Sequence, residues 1–338
     1  MNDPKVARRP TCNAYQGEPA AVGSEWTRRT FLAGAGALAA SVVAPRWAFA
    51  DEAGAVPVVE TKVKELFDSL NSDQKKALCF PLRDPLRRKV AANWDITKSK
   101  IEDLDPAQQD LVEEIVRGLH SEQGFEQLEV HMNDDAGGLG QYHIALFGRP
   151  GDADFQFVLT GRHATMRADG NREDKVAFGG PMVYGHAHGS FHEPPDHKGN
   201  VYWYQALRAN EVFSALDPPQ RAKALVREAP AEDKIDHRTG GYDGIAVGEL
   251  SADQKALVQA VMNDLLSPYR KQDVDEVMEI LTANGGLDKI HLAFYQSGDV
   301  GDDGVWDVWR LEGPEFVWHF RGAPHVHTWV NIGQAAKA

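Results

Sequence analysis

Cysteine is almost missing from this chain: Cys12 and Cys79 are the only two in 338 residues. Cysteine-held iron-sulfur clusters, thiolate zinc sites and Cys-x-x-Cys-His haem attachment all need more thiols, so they are excluded. Positive charge is scarce as well. Lys and Arg total 36 against 50 Asp and Glu, a formal charge of -14, which argues against nucleic acid or an anionic membrane surface as partner. No apolar run reaches the roughly 20 residues that a membrane-spanning helix needs. A Gly-x-Ser-x-Gly turn, a phosphate-binding loop and a dinucleotide fingerprint are also absent, which removes common hydrolase and nucleotide-binding readings.

What is present begins with an address. "TRRTFLA" sets Arg28 and Arg29 ahead of Phe31 and Leu32, and the weakly hydrophobic run "LAGAGALAASVVA" follows. Ala48, Phe49 and Ala50 then supply a small-x-small cleavage pattern, so residues 1–50 are expected to be a twin-arginine signal peptide and the mature chain to begin near Asp51. Export by that machinery carries folded proteins, with any cofactor already in place. The expected location is periplasmic or secreted, with no stable membrane anchor after cleavage. The remaining 288 residues (338 minus 50) carry 30 basic (36 minus 6) and 47 acidic (50 minus 3) side chains. Cys79 is then alone, so no intramolecular disulfide forms and stability rests on core burial.

Two segments keep one frame at an offset of 146 residues. "DLDPAQQDLVEEIVRGL" places Leu111, Val112, Ile115, Val116 and Leu119 on one helical stripe, and "ELSADQKALVQAVMNDLL" does the same with Leu257, Val258, Val261, Met262 and Leu265. Asp105 and Ser251 stand as their caps, and "LNSDQKKAL" and "LDPPQRAKAL" upstream match Gln74 to Gln220. "YHIALFG" and "IHLAFYQ" follow at an offset of 148, placing His143 against His291. The aromatic runs "FQFVLTGRHATMR" and "FVWHFRGAPHVHTWV" align at 161, with "GDDGVWDVWRLEG" read as an inserted strand and turn. Period-two alternation marks these as half-buried strands. The expected fold class is α+β: two pseudo-repeated halves, each a helical pair packed on an antiparallel β-sheet. The first half is placed at 51–180 and the second at 206–338, around a histidine-rich segment at 181–205.

The "F-x-F" strand running into Gly161 and His163, the "FGGPMVYG" that follows and the closing "GPEF...HVHTW" resemble a bacterial group, the domain-of-unknown-function family 3500. That likeness covers most of the mature chain and implies the fold and twin-arginine export. His163, His325 and His327 match by position. Arg162 stands in the middle of what is Gly-His-His in the family pattern, and Val330 and Asn331 replace its Arg-Asp pair.

Four of the thirteen histidines crowd into "YGHAHGSFHEPPDH", residues 184–197. Side chains two apart on a strand share a face, so His186 with His188 and His325 with His327 are two ready-made chelating pairs. With His163 they are five candidate metal ligands, and imidazoles suit copper, zinc or iron. His192, Glu193 and His197 lie among prolines and read as a capping loop or as solvated residues. Arg162 and Arg321, each beside a glycine, are candidate anchors for an anionic substrate. His131 and His319 carry no motif. The function expected is an exported metalloprotein, a metal-dependent oxidoreductase or hydrolase. The alternative is a non-catalytic periplasmic protein binding metal or a small solute, with aromatics from "VYWYQ" and "VWDVW" holding the solute or filling the core.

Overall fold

The helices start where side chains satisfy the N–H groups that a first turn leaves unpaired. Asn71 and Asp217 cap α2 (Ser72–Leu78) and α6 (Pro218–Ala224), accepting from the N–H of Gln74 and Gln220 while those glutamines accept from the cap N–H. α3 (Pro106–Gly118) and α7 (Ala252–Leu266) start at Asp105 and Ser251, whose N–H groups reach Gln108 and Gln254 at 3.2 and 2.9 Å. Those glutamines also clasp the neighbouring helix. Gln108 pairs amide to amide with Gln74 at 2.8 and 3.2 Å and donates to the Ser69 carbonyl at 3.1 Å. Gln254 pairs with Gln220 at 3.0 and 2.7 Å and donates to the Ala215 carbonyl at 2.9 Å.

The computed structural model describes residues 58–152, 154–170, 176–187, 200–300 and 303–333, and all of them fall in one compact unit. The leader at 1–50 and His188, His192, Glu193 and His197 lie outside the described residues. Among those described there are eight α-helices. α1 (Val58–Ser69) precedes the expected pair, with Val59, Val63, Leu66 and the following Leu70 forming a buried stripe, and α4 (Glu122–Ala136) follows it. α5 (Trp203–Ala215) and α8 (Lys271–Ala283) flank α6 and α7 in the same way. Each stretch therefore carries four helices where the sequence reading expected two.

The strands form one sheet. They are β1 (Cys79–Phe80), β2 (His143–Gly148), β3 (Phe155–Gly161), β4 (Ala164–Asp169), β5 (Met182–His186) and β6 (Leu225–Val226). β7 (Ile245–Ala246), β8 (His291–Tyr295), β9 (Val308–Gly313), β10 (Phe316–Arg321) and β11 (Val326–Ile332) complete it. Their order is β1-β2-β3-β4-β5-β11-β10-β9-β8-β6, with β7 on β8. β1 with β2 and β6 with β8 are parallel and every other pair is antiparallel, so the sheet is mixed at its edges. The antiparallel pairing of β5 with β11 merges the two runs of strands. Within the segment at 181–205, Met182–His186 are thus part of the sheet as β5, and Trp203 begins α5.

Alternation holds along the strands, yet they are buried on both faces. Phe157 and Leu159 of β3 and Trp318 and Phe320 of β10 pack with the helices. Val158 and Val317 point the other way, against Trp94 and Ile96 in one case and Ile235 in the other. Extended chain between β1 and α3, and between β6 and β7, covers that second face, and for this reason the expectation of half-buried strands is corrected. Tyr202, Trp203 and Trp309, from the two aromatic-rich runs, are core residues.

His319 of β10 faces this second layer, 1 % exposed, and accepts a hydrogen bond at Nδ1 from Arg310 Nε at 3.2 Å. Burial, reinforced by the Arg310 charge, lowers its pKa to about 3. The unfolded chain binds this proton below about pH 6.5 and the folded chain does not, so stability falls as pH drops from about 6.5 towards the folded value. His319 is expected to contribute a slope of about 1.4 kcal/mol per pH unit between pH 6 and 5. Urea midpoints measured across that window test this; in a His319→Gln variant the slope should be shallower by that amount, and an unchanged slope contradicts it.

Candidate metal centre

Four pieces of chain meet where β5 and β11 pair. α4 ends at Gly137, with φ of +90°, and its last turns deliver His131, Asp134 and Asp135. The two-residue turn between β3 and β4 carries His163 with φ of +55°, in the left-handed region that non-glycine residues rarely adopt. Such strain persists where surroundings over-determine it. Here the His163 N–H donates to the Ala92 carbonyl at 2.6 Å and the ring is held by Asp135. The connection from β10 into β11 brings His325 and His327, and the covering segment brings Glu232.

Gly185 on β5 makes this approach possible. A Cβ there would stand 2.1 Å from the Val326 carbonyl oxygen and 3.4 Å from the His163 Cβ. Gly161 plays a similar part beneath the turn, where a Cβ would strike the Tyr142 ring at 2.3 Å.

The rings of His163, His325 and His327 lie with centroids 4.7–4.9 Å apart, and their ligand nitrogens lie within 4.8 Å of one another. His325 Nε2 and His327 Nε2 are 3.0 Å apart. Two imidazole nitrogens bound to one ion at about 2.0–2.1 Å each stand about 2.8–3.4 Å apart at ordinary angles, so this spacing fits. The outer nitrogens are anchored by acids. His163 Nδ1 meets Asp135 Oδ2 at 2.5 Å, and His327 Nδ1 meets Glu232 Oε1 at 3.1 Å. A carboxylate accepting Nδ1–H leaves the Nε2 lone pair of the ring facing inward, the arrangement by which proteins orient metal-binding histidines.

The acids are themselves held ionised. Burial opposes charge on Asp135, but hydrogen bonding from His163, the nearby His131 and the Ala187 N–H at 3.1 Å outweigh it and keep the carboxyl below its ordinary range. Glu232 is likewise lowered, burial being outweighed by His327 and by the Arg321 charge. Burial lowers the His327 pKa against the support of Glu232, which favours the neutral, ligating form of the ring. His131 is fully buried and lowered to about 4 by burial, against the pull of Asp135. Its Nε2 lies 3.3 Å from the Arg162 carbonyl and 3.4 Å from Asp135 Oδ2, and Tyr202 Oη lies 3.5 Å from Nδ1. His131, Asp135 and His163 form a second group with ligand-like spacing. Its 2.5 Å contact between Asp135 and His163 is hydrogen-bonding distance, shorter than two ligands of one ion ordinarily keep.

The other expected site residues lie around this cluster. His186 is fully buried on the helical side: Nε2 contacts Asp134 at 3.1 Å, Nδ1 receives the Val201 N–H at 3.4 Å, and the His186 carbonyl accepts from Asn200 at 3.0 Å. Its ring stands 6.2 Å from that of His131. His188 lies outside the described residues. Arg162 contributes its backbone, the carbonyl accepting from Tyr142 Oη at 3.0 Å. Arg321 sits directly across β10–β11 from His327, with Nε 3.3 Å from Glu232 Oε2. His143 and His291 lie apart, the first against Ser99 and Asp95 and the second against Tyr242.

A protein-family model described as "Protein of unknown function (DUF3500)" matches residues 52–332, a span that includes every residue of this cluster. The chain belongs to this family. No curated protein and no solved structure matches it.

Asp135, Glu232 and His131 are the site residues that sequence reasoning missed. His131 and Asp135, four apart on one helical face, had a readable signal. Glu232 had none, since it lies in irregular chain. Gly185→Ala is expected to cost about 1–3 kcal/mol through overpacking against Val326. Urea unfolding of the metal-free protein measures this, and a loss under about 0.5 kcal/mol would show that β5 and β11 separate more easily than their contacts imply.

Proposed function

We propose that this protein is an exported metalloprotein with a transition-metal centre on His163, His325 and His327. The observation that carries the reading is convergence of three imidazoles whose Nδ1 atoms, in two cases, are anchored by the buried acids Asp135 and Glu232. Zinc, copper or iron suits such ligands. These three residues would hold the metal with room for a further ligand, and the metal would supply Lewis acidity to water or a substrate oxygen. This favours a metal-dependent oxidoreductase or hydrolase over storage.

The chain's own residues prepare that chemistry. Asp135 and Glu232 set ring orientation, and the Ala187 N–H and His131 set Asp135. His325 Nε2 and His327 Nε2 are at hydrogen-bonding distance, 3.0 Å, and with His327 Nδ1 facing Glu232 this spacing suits a proton on His325 Nε2 in metal-free protein. Ligation requires that proton on His325 Nδ1 instead. His163 and His325 are 4 % and 7 % exposed, which keeps bulk water from the rings.

We read the site as the meeting point of two pseudo-repeated halves. In support, the capping glutamines and their clasps recur 146 residues apart, and the order of strands reads outward alike from the β5–β11 pair. By place in the sheet, β3 then corresponds to β9 and not to β10, so "GDDGVWDVWRLEG" belongs to the repeat. The turn residue equivalent to His163 is Glu315, whose φ is also positive at 58°. The twin-arginine leader and periplasmic location rest on Arg28, Arg29 and the cleavage pattern. No helix among the described residues is long and apolar enough to cross a membrane.

Protein purified from its export compartment without chelator is expected to hold close to one first-row metal per chain by elemental analysis. Replacing His163, His325 and His327 together with alanine should abolish it, whereas His186→Gln should retain it. Metal content near zero in the wild type, or unaltered in the triple variant, rejects the centre. Asp135→Asn and Glu232→Gln are each expected to weaken metal affinity about 10–100-fold, read by competition with a chromogenic chelator. Equal affinity in all three proteins would mean the acids do not orient the ligands.

A further inference from the structure

Among the described residues, Arg321 stands beside the three histidines with two guanidinium N–H groups left over. Its side chain is 24 % exposed, and Nε and Nη2 are buried without a hydrogen-bond partner. These two atoms form the side-on edge of the guanidinium, the edge that receives a planar carboxylate in two parallel bonds. Elsewhere in the same molecule that edge is filled: Arg238 Nε and Nη2 donate to the two oxygens of Glu312 at 2.7 and 2.6 Å. Glu232 does not fill it for Arg321. Its Oε2 stands 3.3 Å from Nε as an ion pair without a hydrogen bond, while its Oε1 is committed to His327.

Burying unpaired guanidinium N–H groups costs free energy that an anion would recover. Arg321 also brings a positive charge to this side of the cluster, set against the single acid Glu232. Position agrees too. Arg321 and His327 are register partners on neighbouring strands and share the Glu232 carboxylate, so a group on Arg321 lies one carboxylate away from a ligand ring.

We propose that Arg321 anchors a carboxylate of the substrate, a small carboxylic acid anion that binds beside the three-histidine centre. This rests on the metal reading above. The carboxylate takes the Nε–Nη2 edge as Glu232 Oε2 gives up a contact that is not a hydrogen bond, and Glu232 Oε1 keeps His327. No covalent step is implied.

Cobalt(II) loaded into the whole mature protein reports anion binding through its visible absorption. Sodium acetate is expected to produce a saturable change in the wild type. Arg321→Gln should weaken acetate about tenfold or more, the size expected for losing charge-assisted hydrogen bonds. Azide, which needs only the metal, should bind both proteins within about twofold of each other, since it makes no paired contact with the guanidinium. Arg321→Lys keeps the charge without the paired edge and should fall between, and it carries the test if the glutamine variant does not fold. Acetate binding unchanged in the variants, or wild type binding inorganic phosphate more tightly than acetate, overturns the carboxylate assignment. Cobalt that binds without responding to azide in the wild type rejects the open metal centre itself.

Discussion

The antiparallel pairing of β5 with β11 is the contact on which the rest depends. Through five residue pairs, from Val326 opposite His186 to Val330 opposite Met182, it turns two runs of strands into one sheet. The same ladder sets which face each histidine takes. His327 opposite Gly185 points to the layer that carries Glu232, while His186 opposite Val326 points to α4 and Asp134. A slip of one residue would exchange those faces and dissolve the cluster. Gly185 lets the pairing close because any side chain there would meet the Val326 carbonyl.

Around this ladder the protein places buried acids against buried imidazoles. An isolated carboxylate in a dry interior would take up a proton, and an isolated imidazole would lose one. Asp135 and Glu232 remain ionised because each is held by a histidine and by at least one further donor or cation. Their charge in turn fixes which nitrogen of His163 and His327 carries its proton. Tautomer, ring orientation and inward lone pairs are therefore consequences of one electrostatic arrangement. It includes α4, the β3–β4 turn, β11 and the covering segment, four pieces that no single local motif contains.

Several parts of this were legible in the primary structure. Asp105 and Ser251 were readable as caps, and Val112, Ile115, Val116 and Val258, Val261, Met262 as buried stripes, because capping and helical periodicity act within a turn or two. Four helices in each stretch were not foreseen, since α1 lacks a cap signal and carries a short stripe. Alternation marks β3 and β10 as strands, but alternation alone implies one wet face. What covers the second face is irregular chain with Trp94, Ile96 and Ile235, and irregular chain has no period to read. Histidine spacing was informative for His325 and His327, whose rings do meet. For His186 the same spacing led to a residue turned towards α4 and already engaged there.

By itself, the sequence determined the side chains on offer: two thiols, more acids than bases, and thirteen imidazoles. It also determined where helices begin and which strand residues alternate, because those properties depend on neighbours a few positions away. Only the tertiary structure decided that His163 lies with His325 and His327 across 164 residues of chain, that Asp135 and Glu232 stand behind them, and that His186 stands aside. Those choices follow from strand register and from which carboxylates burial brings within hydrogen-bonding reach, and both are set by contacts distant in sequence.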